Sequence, residues 1–156
     1  MTLKAFGVEE EKGKHYEEAI YSLVLIYNVM TDQITSYLEQ FDLTPGKFNI
    51  LMIIKHQGQS DGIPQVEISK RLIVTPSNMT KLIDKLEKDG LVVRAALEGD
   101  RRVNIMKITP KGSRLLDQVW PGYDRKLKML ISGLNPQQQK QAADLLKLWL
   151  ADLQEG

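Results

Sequence analysis

The chain has 156 residues, of which 42% are hydrophobic, and a formal net charge of +1. That length suits one ordinary domain, and that apolar content supplies a core, which excludes a globally disordered chain. The absence of cysteine excludes a disulfide framework, a thiolate metal site and a thiol-based redox sensor, and the short apolar runs exclude a membrane span of roughly 18 residues.

The segment Met1 to Lys14 is charged and has no apolar stretch of the kind a secretory signal carries. Residues 1–13 therefore read as a flexible tail, and the cytoplasm is the expected compartment. From about 14 to 41 the apolar residues Tyr16, Ile20, Leu23, Tyr27, Met30, Ile34 and Leu38 recur at steps of three and four, the period of a helix face. A helix this long exceeds what a small domain needs for its own core, so part of it is expected to face a partner.

Thr44-Pro45 opens the next helix, with Thr44 as its cap and Pro45 in its first turn. Gly58 to Gly62 reads as a loop, with a short extended piece at Ile63-Pro64. Gln65 to Leu72 makes a short helix. Thr75-Pro76 launches another, stopped at Gly90 in the left-handed conformation. Leu91 to Ala96 and Val103 to Ile108 read as two strands, joined by a charged turn from Leu97 to Arg102. Thr109-Pro110 starts a further helix, in which Pro121-Gly122 predicts a kink or break. Asn135-Pro136 starts the last, with Ala142, Leu145, Leu146, Trp149 and Leu153 on one face.

Helix, turn, helix, then hairpin is the winged helix-turn-helix order. The fold class expected is mainly α, with a small two- or three-stranded β wing and outer dimerisation helices. The net charge also divides unevenly. Gln65 to Arg114 holds 11 basic and 6 acidic residues, leaving 10 basic and 14 acidic elsewhere. A basic middle between acidic ends suits a phosphate-binding module.

In the helix from Thr75, the residues Met79, Leu82, Ile83 and Leu86 form one buried stripe. Ser77, Asn78, Lys81, Lys85 and Lys88 project from other faces. A short polar first turn followed by lysines is what a recognition helix needs to meet base edges and phosphates in a major groove. Taken alone, the same pattern fits a surface helix of an unrelated α domain. The wing residues Asp100, Arg101 and Arg102 add weight: an arginine at a tip enters a minor groove or pairs with phosphate, and a neighbouring aspartate braces it. An ordinary charged turn is the plainer reading of those three alone.

The outer helices, about 14–41 and 110–153, carry more apolar positions than the central lobe (about 44–108) buries. Tyr16, Ile20, Leu127, Leu130, Leu146, Trp149 and Leu153 are the candidate dimerisation residues, with Trp120 and Tyr123 also near that seam. No Gly-rich phosphate loop, HExxH or GxSxG stands in the sequence, so an enzyme is not expected. His15 and His56 lack local ligand partners, so neither a metal nor a cofactor is expected.

The motifs, in order and spacing, resemble the MarR family of multiple-antibiotic-resistance regulators. The similarity runs from Leu43-Thr44-Pro45-Gly46-Lys47-Phe48 through Glu67-Ile68-Ser69-Lys70-Arg71-Leu72 and the stretch from Thr75 to Arg94. It ends with Asp100-Arg101-Arg102 and Ile108-Thr109-Pro110-Lys111-Gly112. The resemblance implies a single domain over residues 14–156 that binds double-stranded DNA as a homodimer at a pseudo-palindromic site. It implies a repressor released by a small aromatic or anionic effector held between the dimerisation helices and the DNA-binding lobe. By position, Ser77, Asn78, Thr80 and Lys81 would face the major groove, with Thr75 at the helix start and Lys85 one turn further on. Arg101 or Arg102 would serve the wing, braced by Asp100. Ile73 departs from the family's usual small residue in the turn before the recognition helix. The alternative function is a winged-helix protein-interaction module without sequence-specific DNA binding.

Overall fold

A computed structural model of the chain describes residues 3–6, 14–58, 61–72, 79–97 and 100–155. Within the segment read as a tail, Leu3–Phe6 forms a short 3-10 helix; the remainder up to residue 13 lies outside the described residues. The chain divides into two compact units, Met1–Pro121 and Gly122–Gly156.

The first unit begins with α1, His15–Glu39, of which only Leu38 is buried. The helix closes on Asp42, whose φ of 56° is left-handed. The Leu43 N–H reaches back to the Leu38 carbonyl at 3.2 Å and the Asp42 N–H to that of Glu39 at 3.1 Å, which together satisfy the last carbonyls of the helix. Aspartate tolerates this conformation better than most residues, so the turn forms without a glycine.

Next comes α2, Pro45–Gly58. The Thr44 hydroxyl accepts the Lys47 N–H at 3.3 Å, the cap expected of a Thr-Pro start. Phe48, Ile50, Leu51 and Ile54 of α2 are buried and form the centre of the core. They lie against β1 (Ile63–Pro64), α3 (Gln65–Arg71), α4 (Met79–Lys88) and β3 (Asp100–Ile108). With β2 (Val92–Leu97) the strands make a three-stranded antiparallel sheet in the order β1-β3-β2. Ile63 pairs with Met106, and Val92 with Ile108. The third strand is therefore the short extended piece at Ile63-Pro64.

The hairpin differs from expectation in one respect. The sequence pattern puts a charged turn over Leu97 to Arg102, but β2 runs to Leu97 and β3 begins at Asp100, with Leu97 opposite Asp100 across a register shift at Ala96/Leu97. Asp100, Arg101 and Arg102 thus belong to a strand. Ladder pairing extends the hairpin beyond where β-branched and apolar residues stop, because main-chain hydrogen bonds do not depend on side-chain polarity.

A second correction concerns α5, Pro110–Leu130. Pro121-Gly122 predicts a kink or break; of the two, the break does not occur, and the helix runs through Pro121. Proline removes one hydrogen bond, to the carbonyl four residues earlier, and the flanking turns keep theirs.

The second unit contains the end of α5 and then α6, Pro136–Glu155. Asn135 and Gln138 cap α6 reciprocally: each side-chain oxygen accepts the other's N–H at 2.9 Å. No residue of α6 is buried. Among the described residues no helix is long and apolar enough to cross a membrane.

Candidate nucleic-acid interface

The geometry of α4 follows from its sequence. Met79, Ile83 and Leu86 are buried on one side, and Leu82 is half-buried beside them. At 100° per residue, Lys81, Lys85 and Lys88 fall on the opposite side, and all three are exposed. Thr80 is also exposed but occupies the flank between, where the Gln65 side-chain amide of α3 donates to its hydroxyl at 3.4 Å. Of the expected groove-facing residues, then, Lys81 and Lys85 share a face and Thr80 borders it. Thr75, Ser77, Asn78, the Thr75-Pro76 helix start and Ile73 lie outside the described residues.

Three contacts outside that face orient the helix. Arg94 of β2 pairs with the Asp84 carboxylate and, at 2.5 Å, with that of Glu87. The two acids sit on the Thr80 flank, so one guanidinium offsets half of their charge and holds both carboxylates away from the lysine face of α4, which stays positive. Hydrogen bonding to Asp84 holds the Arg94 guanidinium even more firmly protonated than usual.

At the far end, α4 stops at Gly90, whose φ of +70° is left-handed. The Leu91 N–H bonds the Leu86 carbonyl and the Gly90 N–H that of Glu87, both at 2.9 Å. The neighbouring Asp89 accepts the ammonium of Lys47 at 2.8 Å. Lys47 is only 3% exposed and also donates to the Asp42 carbonyl at 3.3 Å. Its hydrogen bond holds the Asp89 carboxyl below the usual carboxylate range, against a smaller opposing effect of burial.

The third contact joins α4 to the wing and α5. The Thr109 hydroxyl donates to the Gly90 carbonyl at 2.8 Å and accepts the Gly112 N–H at 3.0 Å. Gly112 packs so tightly here that a Cβ would lie 2.2 Å from the Leu91 carbonyl oxygen. The start of β3 carries Asp100, Arg101 and Arg102 on the same sheet. A positively charged helix face, held at a fixed angle to a β hairpin, is the arrangement that reads duplex DNA.

The Met1–Pro121 unit also holds a cavity of about 400 Å³ between α2 and α5, lined by Met52, Lys55, His56, Leu116, Asp117, Trp120 and Pro121. Across it, Lys55 donates to Asp117 at 2.5 Å and to the Ser113 carbonyl at 3.4 Å. Sequence reasoning found neither this cavity nor the anchoring roles of Lys47, Arg94 and Thr109. Lys55 and Asp117 stand 62 positions apart, and no local pattern marks such a pair. Of the residues read as a dimer seam, Tyr16, Ile20, Leu146 and Leu153 are exposed, and Leu127, Leu130 and Trp149 are partly covered. Among the described residues no cluster of three or more potential metal ligands occurs.

A sequence model of the MarR family matches residues 43–103. The chain is 30% identical over 140 residues to the HTH-type transcriptional regulator YkoM of Bacillus subtilis, covering 84% of this chain and 88% of that protein. It is 29% identical over 138 residues to the HTH-type transcriptional repressor YetL of the same organism, covering 88% and 80%. Among solved structures it is similar to the S. aureus MepR-DNA complex, with a TM-score of 0.78 and 27% identity over 86% of this chain and 97% of that one.

Proposed function

The chain belongs to the MarR family, and on that premise we propose that it is a ligand-responsive repressor that binds a pseudo-palindromic operator as a homodimer. It is a DNA-binding transcription regulator. The observation that carries this reading is the face of α4: Lys81, Lys85 and Lys88 opposite a buried stripe, with the helix acids drawn off by Arg94. The lysines neutralise phosphates, while Ser77, Asn78 and Thr80 read base edges. Arg101 or Arg102 reaches the minor groove, braced by Asp100.

Two helices support the homodimer. Tyr16, Ile20 and Tyr27 on α1 are 61%, 46% and 64% exposed, and α6 has no buried residue. Apolar surface on this scale is covered in a stable protein, and a two-fold dimer also matches a two-fold operator. The effector is a small aromatic or anionic molecule, and the cavity between α2 and α5 is its site. Its size falls within the range of ligand pockets, and one of its walls is the α2 that carries Lys47, the anchor of α4.

The test is a titration of the purified protein with the DNA upstream of its own gene and with a scrambled duplex, at two salt concentrations. The regulator reading expects tight, salt-sensitive binding that prefers the native DNA. Equal weak binding to both would point instead to a protein-interaction module.

A further inference from the structure

Both edges of the lysine face of α4 carry acid. Asp84 and Glu87 border it on one side, where Arg94 holds them. Asp89 borders it on the other. The Asp89 N–H donates to the Lys85 carbonyl at 2.9 Å, so the helical turn is complete and Asp89 stands one turn beyond Lys85, about 40° around the helix from it. A lysine and an aspartate so placed attract each other. Left to itself, Asp89 would compete with DNA phosphate for the Lys85 ammonium, and its own charge would repel the phosphate as well.

The carboxylate is committed elsewhere. Its partner is the ammonium of Lys47 at 2.8 Å, and the lysine side chain is 3% exposed. Lys47 also donates to the Asp42 carbonyl at 3.3 Å, so its stem is already ordered. An unpaired ammonium at that depth is costly, whereas water satisfies the exposed charge of Lys85. Lys47 therefore holds the carboxylate more strongly than Lys85 does. The hydrogen bond from Lys47 is the main cause that keeps the Asp89 carboxyl low, and the charges of Lys85 and Lys111 add smaller pulls. The Lys111 ammonium is bonded instead to the Asp89 carbonyl, at 2.7 Å. We propose that Lys47 is a positioning residue for DNA binding: too buried to reach the DNA, it holds Asp89 and so leaves Lys85 for operator phosphate. The inference rests on the reading that Lys85 meets phosphate, and it adds a residue of α2 to what that contact needs.

A tie between α2 and α4 that acts through structure alone predicts a different result from one that acts through charge. Affinity for the DNA upstream of the protein's own gene is titrated against salt for five proteins, each shown folded by circular dichroism. They are the wild type, Lys85→Ala, Lys47→Met, Lys47→Met with Lys85→Ala, and Lys47→Met with Asp89→Asn. Lys47→Met weakens binding about tenfold and makes the slope of log affinity against log salt shallower by about two per dimer, since each half-site loses the Lys85 contact. Lys85→Ala weakens the wild type but adds little beside Lys47→Met. Asp89→Asn beside Lys47→Met restores affinity and slope, because no carboxylate is left to draw Lys85. That variant leaves no unpaired charge, so it folds even where Lys47→Met does not, and its affinity alone then decides. Binding by it about tenfold weaker than wild type marks a structural tie and overturns the proposal. So does wild-type binding by Lys47→Met, or a full effect of Lys85→Ala beside it. Wild-type affinity in Lys85→Ala alone overturns the reading of Lys85 as a phosphate contact, and the proposal with it.

Discussion

The ammonium of Lys47, in the first turn of α2, lies 2.8 Å from the Asp89 carboxylate at the end of α4. The lysine is 3% exposed and the aspartate 38%, so the pair is buried on one side only. It fixes the end of the lysine-bearing helix against the most buried helix of the lobe.

The pair makes stability depend on pH. Asp89 titrates below its ordinary value in the folded protein, so its contribution is fully present above the unfolded carboxylate pKa of about 4 and is lost as pH falls through the lower folded value. Lys47→Met removes this dependence. The variant loses about 2 kcal/mol at pH 7, less than a fully buried pair because Asp89 is partly solvated. Its stability then falls less steeply than the wild type's below pH 4, which urea melts at several pH values measure.

Gly112→Ala destabilises the lobe. Alanine favours a helix over glycine by about 1 kcal/mol, but its methyl would meet the Leu91 carbonyl oxygen at 2.2 Å. Backbone cannot yield as a side-chain tip does, so the clash dominates, at roughly 2 kcal/mol net. A melting temperature equal to or above the wild type's would refute the close approach.

Arg94→Met frees Asp84 and Glu87 beside the lysine face of α4. Two uncompensated carboxylates repel phosphate, so operator affinity falls about tenfold. Circular dichroism should show unchanged helix content, separating this electrostatic effect from unfolding.

Leu146→Glu with Leu153→Glu places two carboxylates on the exposed apolar face of α6. Burying them in a dimer seam is costly, so the dimer dissociation constant rises roughly 100-fold. Sedimentation equilibrium measures this, and a distribution identical to the wild type's would remove α6 from the seam.

Much of the architecture is legible in the sequence because short-range rules decide it. Thr44-Pro45, Thr109-Pro110 and Asn135-Pro136 each begin a helix where capping chemistry predicts, and Gly90 supplies the left-handed stop. Pattern fails where main-chain bonding overrides it: Asp100 to Arg102 join a strand despite their charge, and α5 is not broken at Pro121. The lysine face of α4 is readable from period alone. Lys47–Asp89, Arg94–Asp84 and Lys55–Asp117 are not, because each depends on elements meeting in space and leaves no periodic trace.

The central claim is that Lys81 on α4 touches operator phosphate in each half-site. It is tested most directly by measuring operator affinity against salt concentration for the wild type and Lys81→Ala. Binding should weaken in the variant, with the slope of log affinity against log salt shallower by about two per dimer, since each half-site then has one fewer lysine–phosphate pair. An unchanged affinity and slope would contradict the claim and turn the lysine face of α4 away from the DNA.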